Sequence, residues 1–241
     1  MAKILFVMTG ASYWTLKDGH RHPTGYWAEE FVAPYDTFTK AGHEVTVATP
    51  GAVVPTVDMM SLRPDFAGGE QISRAEEDVI ERADELRWPI ALTDVRLDDY
   101  DAVYYPGGHG PMQDLAFDAD SGKLLVDQLA SGNPLAVVCH APAALLATRD
   151  SDGHSPFAGR RITGFTDDEE AKVGLASKAK WLMEDEVKKL GVEFSRGPDW
   201  QPYTVVDDNL YTGQNPASAG PLAREVLKVL TPLAPAGRQS R

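Results

Sequence analysis

The side chains with the greatest capacity for chemistry are Cys139 and His140, a thiol beside an imidazole. Cys139 is the only cysteine among 241 residues. The apolar run 135–138 predicts a buried strand, and the Ala- and Leu-rich residues after it predict a helix. At such a turn the partial positive charge of a helix start stabilises a thiolate, and the attacking atom stands above the strand end, as in a nucleophile elbow. The alternative is a small apolar side chain that fills the core.

Strands and helices alternate along the chain, beginning with a β-α-β unit. The predicted strands are 3–8, 45–48, 102–105, 135–138, 161–164, 192–194, 203–206 and 210–212. The predicted helices are 29–41, 73–87, 124–130, 178–190 and 217–230. This order favours an α/β fold with a doubly wound, mostly parallel sheet and helices on both faces, a flavodoxin-like sandwich with a nucleophile elbow at Cys139.

The domain prediction is one domain over residues 1–231. A loop insertion at about 50–70 is rich in Pro and Gly, and we expect it to overhang a site. Residues 232–241 are predicted to form a flexible tail.

Composition limits the classes of partner and the kinds of cysteine site that we expect. The net charge is −13, so we expect neither nucleic-acid nor membrane binding, since such a surface repels phosphates and anionic lipids. A single cysteine excludes an intramolecular disulfide and any multi-cysteine zinc site. With no secretory pattern at the start and no long apolar run, the prediction is a cytoplasmic protein.

A glycine pair provides a second indication of a site. Gly107 and Gly108 follow the predicted strand 102–105, as Cys139 follows the strand 135–138. Ligands of doubly wound sheets bind at the carboxyl ends of the strands. The coincidence favours a functional Cys139 over a packing role.

Five motifs in register carry a resemblance to a known family. They are TGYWAEE (24–30), YPGGHG (105–110), VVCHAPA (137–143), TGFTDDEE (163–170) and TGQNPAS (212–218). Together they resemble the ThiJ/PfpI family of the class I glutamine amidotransferase-like superfamily, and most of all its branch of glutathione-independent glyoxalases (glyoxalase III) and heat-shock chaperones. The resemblance runs from Ile4 to about Leu230 and implies a homodimer.

The resemblance implies a reaction and roles for four side chains. The Cys139 thiolate would add to the aldehyde carbon of a 2-oxoaldehyde such as methylglyoxal, and the product would be a 2-hydroxy acid, lactate. His140 would move a proton between the two substrate carbons, with Glu170 as the third member of the triad. Glu30 would share a proton with the thiol and tune its pKa.

Further implied roles concern the glycine turn. The N–H groups of Gly108 and His140 would form an oxyanion hole, with Gly107 completing the turn and His109 touching the substrate. The resemblance implies no metal, nucleotide or glutathione, because the protein's own thiol replaces that of glutathione.

Some assignments have close competitors. Glu29 competes with Glu30, which would otherwise be a helix-start carboxylate favoured by the dipole, and Asp168 and Glu169 compete with Glu170. A metal site is the alternative interpretation of His20 and His22, with Glu29 and Glu30 downstream as further ligands. Two histidines in a loop are usually exposed and have no functional role. Four aromatic side chains either wall a pocket or pack in the core: Trp14, Tyr26, Trp27 and Trp200. Ala141 stands where relatives often have glycine, which predicts a narrower pocket.

The same residues suit other functions. A protein or nucleotide deglycase and a cysteine amidase or peptidase use the same nucleophile, since one fold hosts many reactions. A holdase chaperone or an oxidative stress sensor at Cys139 is the alternative from another class.

Overall fold

A sheet of seven strands runs through the centre of the protein; the computed structural model describes residues 1–230. In chain order the strands are β1 (Lys3–Val7), β2 (Tyr13–Thr15), β3 (Arg21–Pro23), β4 (Glu44–Thr49), β5 (Ile90–Ala91), β6 (Ala102–Tyr105), β7 (Leu135–Val138), β8 (Arg161–Ile162), β9 (Glu193–Phe194), β10 (Thr204–Asp207) and β11 (Leu210–Gly213). The order in the central sheet is β10-β11-β7-β6-β1-β4-β5, and every neighbouring pair is parallel except β10 with β11.

The strand order defines where a ligand belongs. The series β4-β1-β6-β7-β11 corresponds to the flavodoxin-like strand order. In this order the direction in which successive strands are added to the sheet reverses beside the first strand, β1. The predicted fold class, a mostly parallel α/β sheet, is therefore confirmed. The carboxyl ends of β6 and β7 lie side by side near this reversal, so the turns that follow them meet.

Helices surround the sheet in two groups. They are α1 (Ala28–Lys40), α2 (Pro64–Ala67), α3 (Glu70–Arg82), α4 (Asp84–Arg87), α5 (Ala119–Ser131), α6 (Asp167–Lys172), α7 (Met183–Lys188) and α8 (Ala219–Leu230). Helix α1 packs against α3 and α8, and α5 packs against a 3₁₀ segment, Ala141–Thr148. No helix among residues 1–230 is long and apolar enough to cross a membrane.

The central strands form because their apolar residues are continuous. All residues of β6 and β7 are buried, as expected for strands covered on both faces. In the core behind them Phe6 stacks on Tyr104 with ring centroids 5.1 Å apart. This buried layer holds the two strand ends rigidly.

Three predicted elements differ from the structure. The helix expected after Cys139 is a 3₁₀ helix, Ala141–Thr148, with Pro142 in its first turn. The helix expected at 178–190 is only α7, because turns follow Gly174, whose φ is +77°. The strand expected at 161–164 is β8, which pairs with β9 outside the central sheet; the Arg161 N–H donates to the Asp207 carboxylate.

Other elements were missed. The hairpin β2–β3 and strand β5 are too short for a clear period, and no helix is predicted for the acidic run 167–170, which begins α6. The segment 50–70 contains a 3₁₀ turn and α2, which begins at a proline. The predicted tail at 232–241 lies outside the described residues.

Candidate active site

Cys139 occupies a strained turn at the end of β7. Its φ is +59°, a left-handed conformation that costs a non-glycine residue about 1–3 kcal/mol. Two hydrogen bonds hold it there: its N–H donates to Gly213 O at 2.9 Å, and its carbonyl accepts from the Phe165 N–H at 2.8 Å. The turn is the predicted nucleophile elbow.

The glycine turn after β6 lies against this elbow. A Cβ on Gly107 would lie 2.6 Å from Val138 O and 2.8 Å from a Glu30 oxygen. Gly108 has a φ of +87°, and a Cβ there would lie 2.4 Å from Gly25 O. Only glycine allows the two turns to approach so closely.

Cys139, His140 and Glu170 form a continuous line of polar contacts. Cys139 Sγ lies 3.3 Å from His140 Nδ1, and His140 Nε2 lies 2.6 Å from Glu170 Oε2. Glu170 is held in α6, which starts with a capping box between Thr166 and Glu169. The structure thus brings the three residues of the predicted triad together.

The carboxylate sets the tautomer of His140. Burial alone would raise the pKa of Glu170, but the His109 and His140 rings lower it well below its usual range. Burial, with His109 beside it, lowers the pKa of His140 to about 4, although Glu170 opposes this shift. At neutral pH a neutral imidazole therefore donates from Nε2 to a carboxylate, and the Nδ1 lone pair faces the thiol. The proton positions follow from these partners.

Glu30 approaches the thiol from α1. Its Oε2 accepts a hydrogen bond from Gly107 N at 2.8 Å, while Oε1 is buried and makes no hydrogen bond of good geometry within residues 1–230. Burial raises the pKa of Glu30 to about 8, and the Cys139 thiol and the Gly107 N–H act against the rise. Glu30 therefore carries a proton at neutral pH.

Burial acts against the expected stabilisation of a Cys139 thiolate. Burial raises the pKa of Cys139 well above its usual range, and Glu30, once it has lost its own proton, raises it further. Only the Gly108 N–H acts in the opposite direction among the largest influences. Desolvation of the charged form and the positive ends of the backbone dipoles therefore act on the thiol in opposite directions.

His109 shares Glu170 with His140. Its Nε2 lies 3.0 Å and 3.2 Å from the two carboxylate oxygens. The His109 ring lies between Trp14 and His140, with centroids 5.1 Å and 4.1 Å away. One carboxylate thus orients two neighbouring imidazoles whose planes are tilted by 38°. His109 also lines the cavity described next.

A cavity of about 210 Å³ opens onto the thiol. Its walls are mostly apolar: Trp27, Glu29, Phe66, Gly108, His109, Cys139, His140, Phe165, Val173, Trp200, Asn215, Pro216 and Ala217. Phe66 belongs to the segment 50–70, which therefore borders the site as expected. Of the four aromatic candidates, Trp27 and Trp200 line the cavity, whereas Trp14 and Tyr26 are buried in the core. Ala141 is buried outside the lining, so its methyl group does not narrow the cavity.

The competing carboxylates have separate surroundings. Glu169 is buried and accepts hydrogen bonds from the Thr166 hydroxyl, the Trp200 N–H and the Asn215 side chain. Asp168 is exposed and pairs with Arg196. Glu29 lines the cavity, whereas Glu30 contacts the glycine turn.

Sequence reasoning missed part of the cavity wall. The sequence pattern gives Phe165 no role beyond its place in the motif 163–170. In the structure its ring lies over that of His140, with centroids 4.3 Å apart. Residues 215–217 follow β11 directly. Ligands bind at the carboxyl ends of parallel strands, and this rule, applied to every strand, would identify the segment 215–217.

One group in residues 1–230 has the spacing of a metal site. Ligand atoms of His109, His140 and Glu170 lie within 4.8 Å of one another. An ion there would replace the hydrogen bonds from the two imidazoles to the carboxylate. The alternative group suggested by the sequence is not brought together: His20 is exposed, and His22 lies edge-on to His109, with centroids 6.5 Å apart.

The fold and the elbow place the chain among α/β proteins that carry a reactive-type cysteine at the carboxyl edge of a flavodoxin-like sheet. A comparison with protein families narrows this class further: the sequence model of the DJ-1/PfpI family matches residues 24–229. The chain belongs to this family, and the resemblance found in its motifs is confirmed.

Individual relatives agree with this assignment. The chain is 33% identical to the glutathione-independent glyoxalase HSP31 of Saccharomyces cerevisiae, over 90% of this chain and 93% of that protein. It is 27% identical to the protein/nucleic acid deglycase HchA of Staphylococcus aureus, over 92% of this chain and 77% of that protein. The crystal structure of glyoxalase III from Candida albicans matches with a TM-score of 0.80 and 27% identity, over 94% of this chain and 96% of that one.

Proposed function

We propose that the protein is a glutathione-independent glyoxalase that converts 2-oxoaldehydes such as methylglyoxal into 2-hydroxy acids such as lactate. The observation that carries this proposal is the line from Cys139 Sγ through His140 to Glu170, open to a cavity. Two similar proteins are named glyoxalases, which supports the same reaction.

The first step forms a bond between sulfur and the aldehyde carbon. As Sγ attacks, its proton passes to His140 Nδ1, 3.3 Å away, and the developing imidazolium is stabilised by Glu170. The aldehyde oxygen becomes an oxyanion and takes up a proton, giving a hemithioacetal. Glu30, protonated beside the sulfur, limits the charge that accumulates there.

The oxyanion has donors nearby. The Gly108 N–H and the His140 N–H have no backbone acceptor within residues 1–230, and the Gly108 N–H acts to lower the pKa of the thiol. Donors held in place before the reaction stabilise charge that develops in the transition state. These two groups are therefore the proposed oxyanion hole, with Gly107 allowing their approach.

The second step moves a hydrogen within the substrate. A base removes the proton from the former aldehyde carbon, and the same proton or its equivalent is returned to the neighbouring carbonyl carbon. His140 is the proposed base, because its neutral Nδ1 faces the reacting atoms. The aldehyde carbon is oxidised to a thioester and the ketone carbon is reduced to an alcohol, so no external oxidant is needed.

Water then completes the cycle. It attacks the thioester carbon, the carbon–sulfur bond breaks, and the sulfur regains its proton. The sum of the steps is one 2-oxoaldehyde plus one water giving one 2-hydroxy acid. We propose no metal, nucleotide or glutathione for this sequence, since the thiol of the protein forms the covalent intermediate.

The test is lactate formation from methylglyoxal without glutathione or added metal. We expect the wild type to form lactate and Cys139→Ser to form none. The chain has no other cysteine, so mass spectrometry after iodoacetamide treatment reports the state of this thiol alone. Lactate formation by folded Cys139→Ser would rule out the thiol mechanism, and its absence from the wild type would rule out methylglyoxal as substrate.

Deglycation is the second candidate, because the Staphylococcus aureus relative is named a deglycase. The two activities separate when the substrate is a pre-formed methylglyoxal adduct of arginine and a scavenger removes the free aldehyde. A glyoxalase stops under these conditions, whereas a deglycase continues to release the amino acid.

We propose further that the protein works in the cytoplasm as a homodimer. The single cysteine suits a reducing compartment, and the family resemblance supports the dimer. Light scattering during size-exclusion chromatography should report twice the chain mass; the mass of one chain would refute the dimer.

A further inference from the structure

Glu29 is the unpaired carboxylate of the cavity. It belongs to the first turn of α1 and is half-buried, and its side chain has no hydrogen bond or ion pair within residues 1–230. Its neighbour Glu30 turns instead to the glycine backbone. A carboxylate that lines a cavity without a protein partner is available to a ligand.

The walls around Glu29 suit a cation. Four aromatic rings line the cavity: Trp27, Phe66, Phe165 and Trp200. Trp27 and Phe66 meet edge to face with centroids 6.1 Å apart. No Lys or Arg is among the lining residues. Aromatic faces attract cations through their quadrupoles, and an unpaired carboxylate adds a direct charge interaction.

The electrostatic environment of Glu29 and Glu76 also favours a cationic ligand. Burial raises the pKa of Glu29, because its charge is poorly solvated. Burial, together with the Glu29 charge, raises the pKa of Glu76 to about 7, and one oxygen of Glu76 is buried with no hydrogen-bond partner among residues 1–230. A positive charge on the ligand would relieve this accumulation of carboxyls, and a negative charge would add to it.

We propose that Glu29 is a specificity-determining residue, which makes the cavity favour 2-oxoaldehydes whose substituent is cationic, accept neutral ones and disfavour those bearing a carboxylate. This inference rests on the proposed glyoxalase function. The substituent extends from the carbon held by Cys139 towards Trp27 and Glu29. The cavity of about 210 Å³ has room for a phenyl ring, since about 150 Å³ suffices for benzene.

Three arylglyoxals of similar shape test the proposal: phenylglyoxal, its 4-trimethylammonio derivative and its 4-carboxy derivative. The measured quantity is kcat/KM for wild type, Glu29→Gln and Glu44→Gln. Glu44 is exposed at the start of β4, at the opposite edge of the sheet, so its variant makes the same change in net charge far from the cavity.

We expect the wild type and Glu44→Gln to favour the cationic over the anionic substrate by about tenfold or more, since two charges about 4 Å apart near a surface interact by about 1–4 kcal/mol. Glu29→Gln should reduce this ratio to within about threefold. An unchanged ratio in Glu29→Gln, or an equal fall in Glu44→Gln, would refute the proposal.

A binding measurement separates this proposal from the proposed reaction. If the wild type converts neither methylglyoxal nor any of the three arylglyoxals, the glyoxalase function fails, and quenching of tryptophan fluorescence then tests Glu29 alone. Benzyltrimethylammonium should bind the wild type more tightly than benzoate, with the preference lost in Glu29→Gln. Equal affinities of the two ligands for the wild type would overturn the assignment.

Discussion

Replacing Glu170 with Gln separates the two tasks of the carboxylate, which are to fix a tautomer and to stabilise a cation. In the structure Glu170 Oε2 lies 2.6 Å from His140 Nε2, and both side chains are nearly fully buried. A glutamine keeps the shape and removes the charge. We therefore expect the variant to fold and to react slowly.

The size of the loss follows from two contributions. A buried hydrogen bond to a charged group contributes about 1.5–3 kcal/mol, which corresponds to about 10- to 150-fold in kcat. If the amide NH₂ turns to His140, Nδ1 becomes protonated and cannot accept the thiol proton; the equivalent exchange in a serine protease triad costs about 10⁴-fold. His109 competes for the same two amide atoms, so the loss should lie between about 10-fold and 10⁴-fold.

The assay is kcat for lactate formation, together with the rate of Cys139 alkylation by iodoacetamide at pH 7. Both rates should fall, because His140 loses basicity when the carboxylate is gone. Asp168→Asn is the matched control, since Asp168 lies two residues away, is exposed and pairs with Arg196. A folded Glu170→Gln with kcat within threefold of wild type would refute the triad.

Two further predictions concern stability. Glu76→Gln should raise the free energy of unfolding at pH 8 by on the order of 1 kcal/mol and by much less at pH 5. The pKa of the wild-type carboxyl rises from 4.5 to about 7 on folding. Between these two pH values the native state binds more protons than the unfolded state, so the free energy of unfolding falls as pH rises. An equal gain at pH 5 and pH 8 would contradict this reasoning. Gly108→Ala should lower stability by about 2–6 kcal/mol, from about 1–3 for the positive φ and about 1–3 for overlap with Gly25 O. Gly19→Ala, with a φ of +84° and no atom within 4 Å of its Cβ, isolates the first contribution in thermal unfolding, and equal losses in both variants would exclude the overlap.

Much of the frame was predictable from local patterns. Continuous apolar runs mark β1, β6 and β7 because strands covered on both faces lose their polar alternation. The adjacency of Cys139 and His140 and the glycine pair 107–108 are visible directly in the sequence. From these, the carboxyl edge of the sheet followed as the place of the site, and the shared motifs indicated the family.

Short and irregular elements were less predictable. No helix is predicted for the acidic run 167–170, yet a capping box between Thr166 and Glu169 starts one there. The hairpin β2–β3 has three residues in each strand, too few to show a period. Such elements form because tertiary contacts stabilise them, for example the stacking of Trp14 on His109.

The sequence by itself determined which residue types are available for chemistry and which strand ends carry them. Only the tertiary structure decided which of three neighbouring acids meets His140, since successive residues of α6 point in different directions around its axis. It also decided which groups act on the pKa of Cys139, because burial, Glu30 and the Gly108 N–H meet the thiol only across the fold. Local patterns report periodicity and burial, whereas protonation and partner choice depend on groups far apart in the chain.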